Sequence, residues 1–232
     1  MRTYQRAADL GDINQAVKEA LEVKANPYKW DTMGKNKTLL MVFFNSSLST
    51  RLSTQKAGMN LGMNTIVLDV NAGAWKLETE RGVIMDGDKP EHLLEAIPVM
   101  GSYCDLIGVR SFARFESKQF DYEEVILNQF IKYSGKPVFS MESATCHPLQ
   151  AFADLITIEE FKEQERPKVV LTWAPHPRAL PQAVPNSFAD FMNAADVDFV
   201  ITHPKGYELA PEFVGNARVE YDQRKAFEGA NF

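Results

Sequence analysis

Residues 47–51, Ser47-Leu48-Ser49-Thr50-Arg51, place three hydroxyls and a guanidinium shortly after an apolar run, Thr38-Leu39-Leu40-Met41-Val42-Phe43-Phe44. That run reads as a strand buried on both faces of a parallel sheet. Helical character follows through Leu52 and Met59, closing at Gly62. A strand that feeds a helix leaves unpaired backbone N–H groups at the positive end of the helix dipole. The result is an anion site, to which Ser47, Ser49 and Thr50 can add donors, and phosphate is its natural occupant. A helix capped by Ser or Thr with no ligand fits the same residues equally well.

Three further stretches carry groups of complementary chemistry. Arg110 follows the expected strand Cys104 to Val109, and Glu142 follows the expected strand Pro137 to Met141. With Ser47 they fall at three strand ends, where ligands of open parallel sheets bind. Arg is well shaped to grip phosphate, although a surface ion pair is its plainer use. His147-Pro148-Leu149-Gln150 places an imidazole at a helix start with Gln150 one turn on. Such an imidazole can donate to a carbonyl oxygen as negative charge develops on it, or it can simply cap the helix. Trp75 lies in a stretch without period, residues 71–90, and reads as a loop anchor or as a lid.

The elements that must position these groups alternate. Helical spacing covers residues 9–24 through Leu10, Ile13, Val17 and Leu21; strands are expected at 38–44, 64–70, 104–109 and 137–141, with helices opening at Pro90 and spanning 121–133. A long helix runs from about Pro148 to Gln164, ended by Pro167. Strands at 168–173 and 198–202 enclose a proline-rich loop, Pro175 to Pro185, and a helix, 186–194; a short helix is expected at 222–228. Gly229 to Phe232 reads as the entry to another strand. The expectation is an α/β protein of two Rossmann-like domains with parallel sheets, 1–146 and 147–232. The second reads as incomplete, with only two full strands, so the chain is expected to continue past Phe232.

Composition narrows the function classes. The 232 residues include 45% apolar and 24% charged, which suits a folded globular chain. Twenty-five Lys and Arg against 31 Asp and Glu give a net charge of -6, so no basic field exists for nucleic acid. Met1 to Leu10 has no apolar stretch of signal-peptide kind, and no run approaches a membrane span. Cys104 and Cys146 lack metal-ligand spacing and are too few for a disulfide framework. The expected setting is the cytoplasm, with reduced thiols. No Gly-x-Gly-x-x-Gly follows a strand, which argues against a nucleotide-dependent oxidoreductase.

Ser47 to Arg51, Gly73-Ala74-Trp75, Val109-Arg110-Ser111, His147-Pro148-Leu149-Gln150 and the Pro175 to Pro185 loop, in this order, resemble the aspartate and ornithine transcarbamylase superfamily along the whole chain. The match is best in the branch acting on N-acylated ornithine. The resemblance implies carbamoyl transfer from carbamoyl phosphate to the side-chain amine of an N-acylated ornithine, within arginine biosynthesis. It further implies a homotrimer with shared active sites and no metal or organic cofactor. By position, Ser47, Leu48, Ser49, Thr50, Arg110, His147 and Gln150 would hold carbamoyl phosphate, with Trp75 reaching in from the adjacent subunit. Arg110 and His147 would be catalytic, and Glu142, His176, Arg178 and Pro90 would face the acylated amino acid. Acetyl-specific relatives look to have Glu where Pro90 stands; its absence removes a charge that would repel a succinyl carboxylate, which favours N-succinylornithine. N-acetylornithine is the second substrate reading. Ser49 replaces the middle arginine of the family's phosphate loop, and Cys146 stands where the closest relatives look to have Arg. A remnant that only binds phosphate, or assembles with homologues, is therefore the third reading.

Overall fold

The computed structural model describes residues 2–70, 76–174, 176–177 and 180–232. Trp75 and Arg178, with Gly73, Ala74 and Pro175, lie outside the described residues. The chain divides into two compact units, residues 1–4 with 23–144, and residues 5–22 with 145–232.

Elements up to residue 144 run β1 (Thr3–Tyr4), a 3-10 turn (Ala7–Leu10), α1 (Ile13–Ala25), β2 (Thr38–Phe43), α2 (Leu48–Asn60), β3 (Asn64–Asp69), β4 (Leu77–Glu78), β5 (Glu91–His92), α3 (Leu93–Ser102), β6 (Leu106–Arg110), α4 (Lys118–Tyr122), α5 (Val125–Tyr133) and β7 (Val138–Glu142). The first unit is built on a parallel sheet in the order β1-β7-β6-β2-β3. From β2 the chain moves out to β3, then returns to the other side of β2 to lay down β6. The direction of winding therefore reverses between β2 and β6, which is the switch point where such sheets open a crevice. Met41, Val42, Ile107 and Val109 are fully buried, as the continuous apolar runs require. Leu93, Ile97, Leu127 and Phe130 of α3 and α5 cover one face of the sheet.

The second unit contains α6 (Pro148–Phe161), β8 (Lys168–Thr172), α7 (Ala183–Ala194), β9 (Asp198–Thr202), α8 (Pro211–Val214), β10 (Arg218–Val219) and α9 (Gln223–Phe227). Its sheet is parallel, β10-β9-β8, so a short third strand follows Gly206 where only two strands were expected. Two residues make a weak periodic signal, which is why β10 escapes the sequence. Asn231 and Phe232 hydrogen-bond along β8: Asn231 N donates to the Lys168 carbonyl at 2.9 Å, and Val170 N donates to the Phe232 carbonyl at 2.9 Å. Arg6 holds residues 5–22 in this unit through Asp190, at 2.6 and 3.1 Å, with its guanidinium 4.5 Å from the Phe213 ring centre.

Three other expectations are corrected. The helix at 9–24 begins only at Ile13, because Gly11 takes φ 73° and Asp12 accepts from the N–H groups of Asn14 and Gln15. Pro90 does not open a helix: Glu91–His92 is extended and pairs with Leu77–Glu78, and His92 Nδ1 caps α3 by accepting from Leu94 N at 3.0 Å. The helix at 121–133 is two helices, parted at Glu124 with φ 50°. On α2, a helix as expected, Leu52 and Met59 are each 59% exposed, and the buried residues are Thr50, Thr54 and Gly58. A Cβ at Gly58 would stand 2.9 Å from the Thr65 side chain and 3.1 Å from Leu39, so the helix seats on the sheet through a position with no side chain.

The β4–β5 pair carries a charged anchor. Glu78 accepts from the N–H groups of Glu80 and Thr79 and from Lys89 Nζ. These donors, the Glu80 N–H first and Lys89 next, hold its carboxyl down from 4.5 to about 2. They favour the ionised form, so the anchor is complete above about pH 4.5 and is lost as pH falls toward about 2. In an NMR titration the Thr79 and Glu80 amide signals are expected to move with a midpoint near 2. A midpoint near 4.5 would show that the anchor does not hold.

Candidate active site

In the first unit, the ends of β2, β6 and β7 bring together Ser47, Thr50, Arg110 and Glu142. Ser47 caps α2, its Oγ accepting from Thr50 N at 3.3 Å, so the first N–H groups of the helix face outward beyond the sheet. Leu48 and Ser49 occupy that first turn and are both exposed. Thr50 is buried beneath them, its hydroxyl accepting from Arg110 Nη1 at 3.1 Å.

Arg110 Nη1 also lies 2.7 Å from Glu142 Oε2, with both side chains about nine-tenths buried. Their meeting depends on an irregularity in the sheet: Val109 is opposite Ser140, yet Arg110 is opposite Glu142, so Met141 has no partner on β6. Regular pairing would set Arg110 against Met141. The extra residue bends the ladder and brings the carboxylate to the guanidinium. Backbone ties fix the three strand ends around them. Phe44 N donates to the Arg110 carbonyl, Ser111 N to the Glu142 carbonyl, and Phe112 N to Asn45 Oδ1 at 2.8 Å.

The electrostatics of the pair are dominated by burial. It lowers the Arg110 guanidinium below its ordinary value and raises the Glu142 carboxyl above its own, and the attraction of the partner offsets only part of each shift. Removing both charges from water outweighs what the pair returns, so this contact is a weak source of stability. Among the described residues, Arg110 Nε is buried without any hydrogen-bond partner, and the guanidinium carbon lies 4.5 Å from the Phe112 ring centre.

In the second unit, His147 caps α6: Nδ1 accepts from Gln150 N at 3.4 Å, and His147 N donates to Ser187 Oγ at 2.7 Å. With Nδ1 as acceptor, the neutral ring carries its proton on Nε2. Gln150 is exposed and donates to Asp154 at 2.8 Å. His176 is exposed in the loop after β8. Pro90, in the first unit, is exposed immediately before β5. The sequence reading missed the Thr50 hydroxyl as a support for Arg110; its place one turn into α2, on the buried face with Thr54, was the available signal.

Residues 5–160 match the model of the aspartate/ornithine carbamoyltransferase carbamoyl-P binding domain. The chain belongs to the aspartate/ornithine carbamoyltransferase family. It is 74% identical, over all 232 residues, to the N-succinylornithine carbamoyltransferase of Bacteroides thetaiotaomicron and spans 73% of that protein. Against the N-acetylornithine carbamoyltransferase of Xanthomonas axonopodis pv. citri it is 34% identical, with 95% of this chain and 69% of the relative aligned. Acetylornithine transcarbamylase complexed with acetylcitrulline superposes with a TM-score of 0.89 at 33% identity, over 99% of this chain and 73% of that one. An N-acetyl-L-ornithine transcarbamylase variant with a glutamate replaced by proline, complexed with carbamyl phosphate and N-succinyl-L-norvaline, also gives 0.89, at 34% identity over 99% of this chain and 74% of that one.

Proposed function

We propose that the protein transfers the carbamoyl group of carbamoyl phosphate to the side-chain amine of N-succinyl-L-ornithine, giving N-succinyl-L-citrulline and phosphate. The observation that carries this reading is Arg110: a buried guanidinium anchored through Nη1 at the mouth of a helix N-terminus, with Nε still lacking an acceptor. A buried N–H without a partner costs about 1–3 kcal/mol, and an oxygen of carbamoyl phosphate would relieve it. Residues 1–146 serve as the carbamoyl-phosphate domain and 147–232 contribute to the N-acylornithine domain.

The chemistry asks little beyond orientation and charge stabilisation. The amine nitrogen attacks the carbamoyl carbon, the C–O bond to phosphate breaks with its electron pair going to the phosphate, and the departing phosphate takes the proton that the amine gives up. Ser47 to Thr50 and the α2 N–H groups hold the phosphate; Arg110 and the Nε2 proton of His147 meet the carbonyl oxygen as it becomes negative, with Gln150 on the carbamoyl group. Glu142, His176, Arg178 and Pro90 face the acylated amino acid, and Trp75 enters from an adjacent subunit. The 74% identity to an N-succinylornithine carbamoyltransferase, over all of this chain and 73% of that protein, supports the succinyl substrate. So does the succinyl ligand in a relative that carries proline for glutamate.

A homotrimer suits the surface of α2, where Leu48, Leu52 and Met59 are 79%, 59% and 59% exposed along a helix beside the phosphate loop. An apolar row of this kind favours burial against another copy. Among the described residues no helix is long and apolar enough to cross a membrane, and we assign the enzyme to the cytoplasm within arginine biosynthesis. The test is formation of the ureido product from carbamoyl phosphate and either acylated ornithine, in the protein carrying these 232 residues. Turnover is expected with N-succinylornithine and at least tenfold less with N-acetylornithine; a reversed preference, or no product from either, overturns the reading.

A further inference from the structure

The break between α4 and α5 presents two carboxylates, one to each loop that follows a strand of the site. Asp121, on α4, is buried and accepts from the backbone N–H groups of Arg114 and Phe115 at 2.8 and 3.1 Å. It thereby ties down the loop that leaves β6 just after Arg110. Glu124, at the break itself, accepts from Ser143 Oγ at 2.6 Å and from Ala144 N at 3.3 Å. Those are the two residues that leave β7 just after Glu142, and Ser143 is fully buried.

Both ties are made with unfavourable backbone. Glu124 has φ 50° and Phe115 has φ 62°, left-handed conformations that side chains other than Gly and Asn seldom adopt. Two non-glycine residues in that region, each bound into the same junction, mark strain that the surrounding contacts enforce. A continuous helix over 118–133 would relax Glu124 and carry its carboxylate away from Ser143. The break is thus what delivers the carboxylate.

We propose that the α4–α5 junction is a positioning clamp, in which Asp121 and Glu124 set the two strand-end loops so that Arg110 and Glu142 meet in the register that the bulge in β7 allows. This inference rests on the reading of Arg110 and Glu142 as site residues. The clamp touches neither substrate; it acts through the loops. Its range is short, since only two residues separate Asp121 from Glu124 and only one separates Glu142 from Ala144.

Glu124→Gly separates the clamp from the fold, because glycine keeps the left-handed backbone at no steric cost while removing the carboxylate. The variant is expected to unfold within a few degrees of the parent, to raise KM for N-succinylornithine about tenfold and to leave KM for carbamoyl phosphate within about threefold. Glu124→Gln retains an oxygen for Ser143 and should recover most of the loss. Ser143→Ala should reproduce part of the Glu124→Gly effect and add nothing to it in the double variant, as members of one contact do. Unchanged constants in Glu124→Gly, or a uniform fall in every constant that follows unfolding temperature and is not rescued by Gln, overturns the clamp. The NMR signal of Arg110 Nε–H gives a readout independent of turnover: it is expected to shift in Glu124→Gly, and an unmoved signal also overturns the proposal. A parent protein without carbamoyl transfer would defeat the functional reading while this signal still decides the clamp.

Discussion

Replacing Arg110 by methionine is expected to lower kcat/KM for carbamoyl phosphate by about 10²–10³, the loss typical of one preorganised donor to a developing oxyanion. The same change removes the guanidinium from beside Glu142 in a nine-tenths buried place, and breaking a buried pair from one side costs about 3–5 kcal/mol. Two consequences can then be told apart. Glu142 already has a raised pKa, and without the guanidinium it rises further. A carboxyl whose folded pKa is raised stabilises the fold below its unfolded value and loses that contribution as pH climbs through the folded one. The variant should therefore lose more thermal stability above the ordinary carboxyl value of 4.5, at pH 7, than below it, at pH 4. Arg110→Met with Glu142→Gln removes the buried charge as well and should regain most of the stability with none of the turnover. Recovery of both together in the double variant would assign Arg110 a purely structural role.

The strands were legible in the sequence because a strand buried on both faces needs apolar residues without interruption. Leu39 to Phe43 shows that run, Val138 to Met141 shows it broken only by Ser140, and both are strands. The placement of Ser47, Arg110 and Glu142 at strand ends was legible for the same reason, since a polar residue closing an apolar run marks where the sheet stops. That Arg110 pairs with Glu142 was not legible. It depends on a one-residue bulge in β7, and a bulge leaves no mark on composition or period. The break at Glu124 was hidden as well, because Phe120 and Tyr122 before it and Val125, Leu127 and Phe130 after it supply apolar and aromatic residues on both sides, and no Gly or Pro announces a stop. Leu52 and Met59 mark the helix without marking its buried face. They carry a helical period, yet the helix seats on Thr50, Thr54 and Gly58, small residues that let it approach the sheet. Apolar spacing identifies a helix more securely than it identifies which face is buried.

Pro90→Glu should exchange one acyl preference for the other. Pro90 is exposed and leads into β5, whose pairing with β4 gives the position a fixed backbone. A carboxylate there would stand beside the terminal carboxylate of a bound succinyl group. At a separation of about 5 Å and an effective dielectric of about 20, two like charges repel by about 3 kcal/mol, which is about 10² in kcat/KM. N-acetylornithine carries no such charge and should lose little, so the ratio of the two substrates moves by nearly the whole factor. Two controls isolate the electrostatic cause. Pro90→Gln frees the same φ angle without a charge and should keep the parent's preference. Raising the salt concentration should recover part of the succinyl activity of Pro90→Glu, because an exposed repulsion is screened. If Gln and Glu depress succinyl turnover equally, the rigid backbone of proline, and not the missing charge, sets the preference.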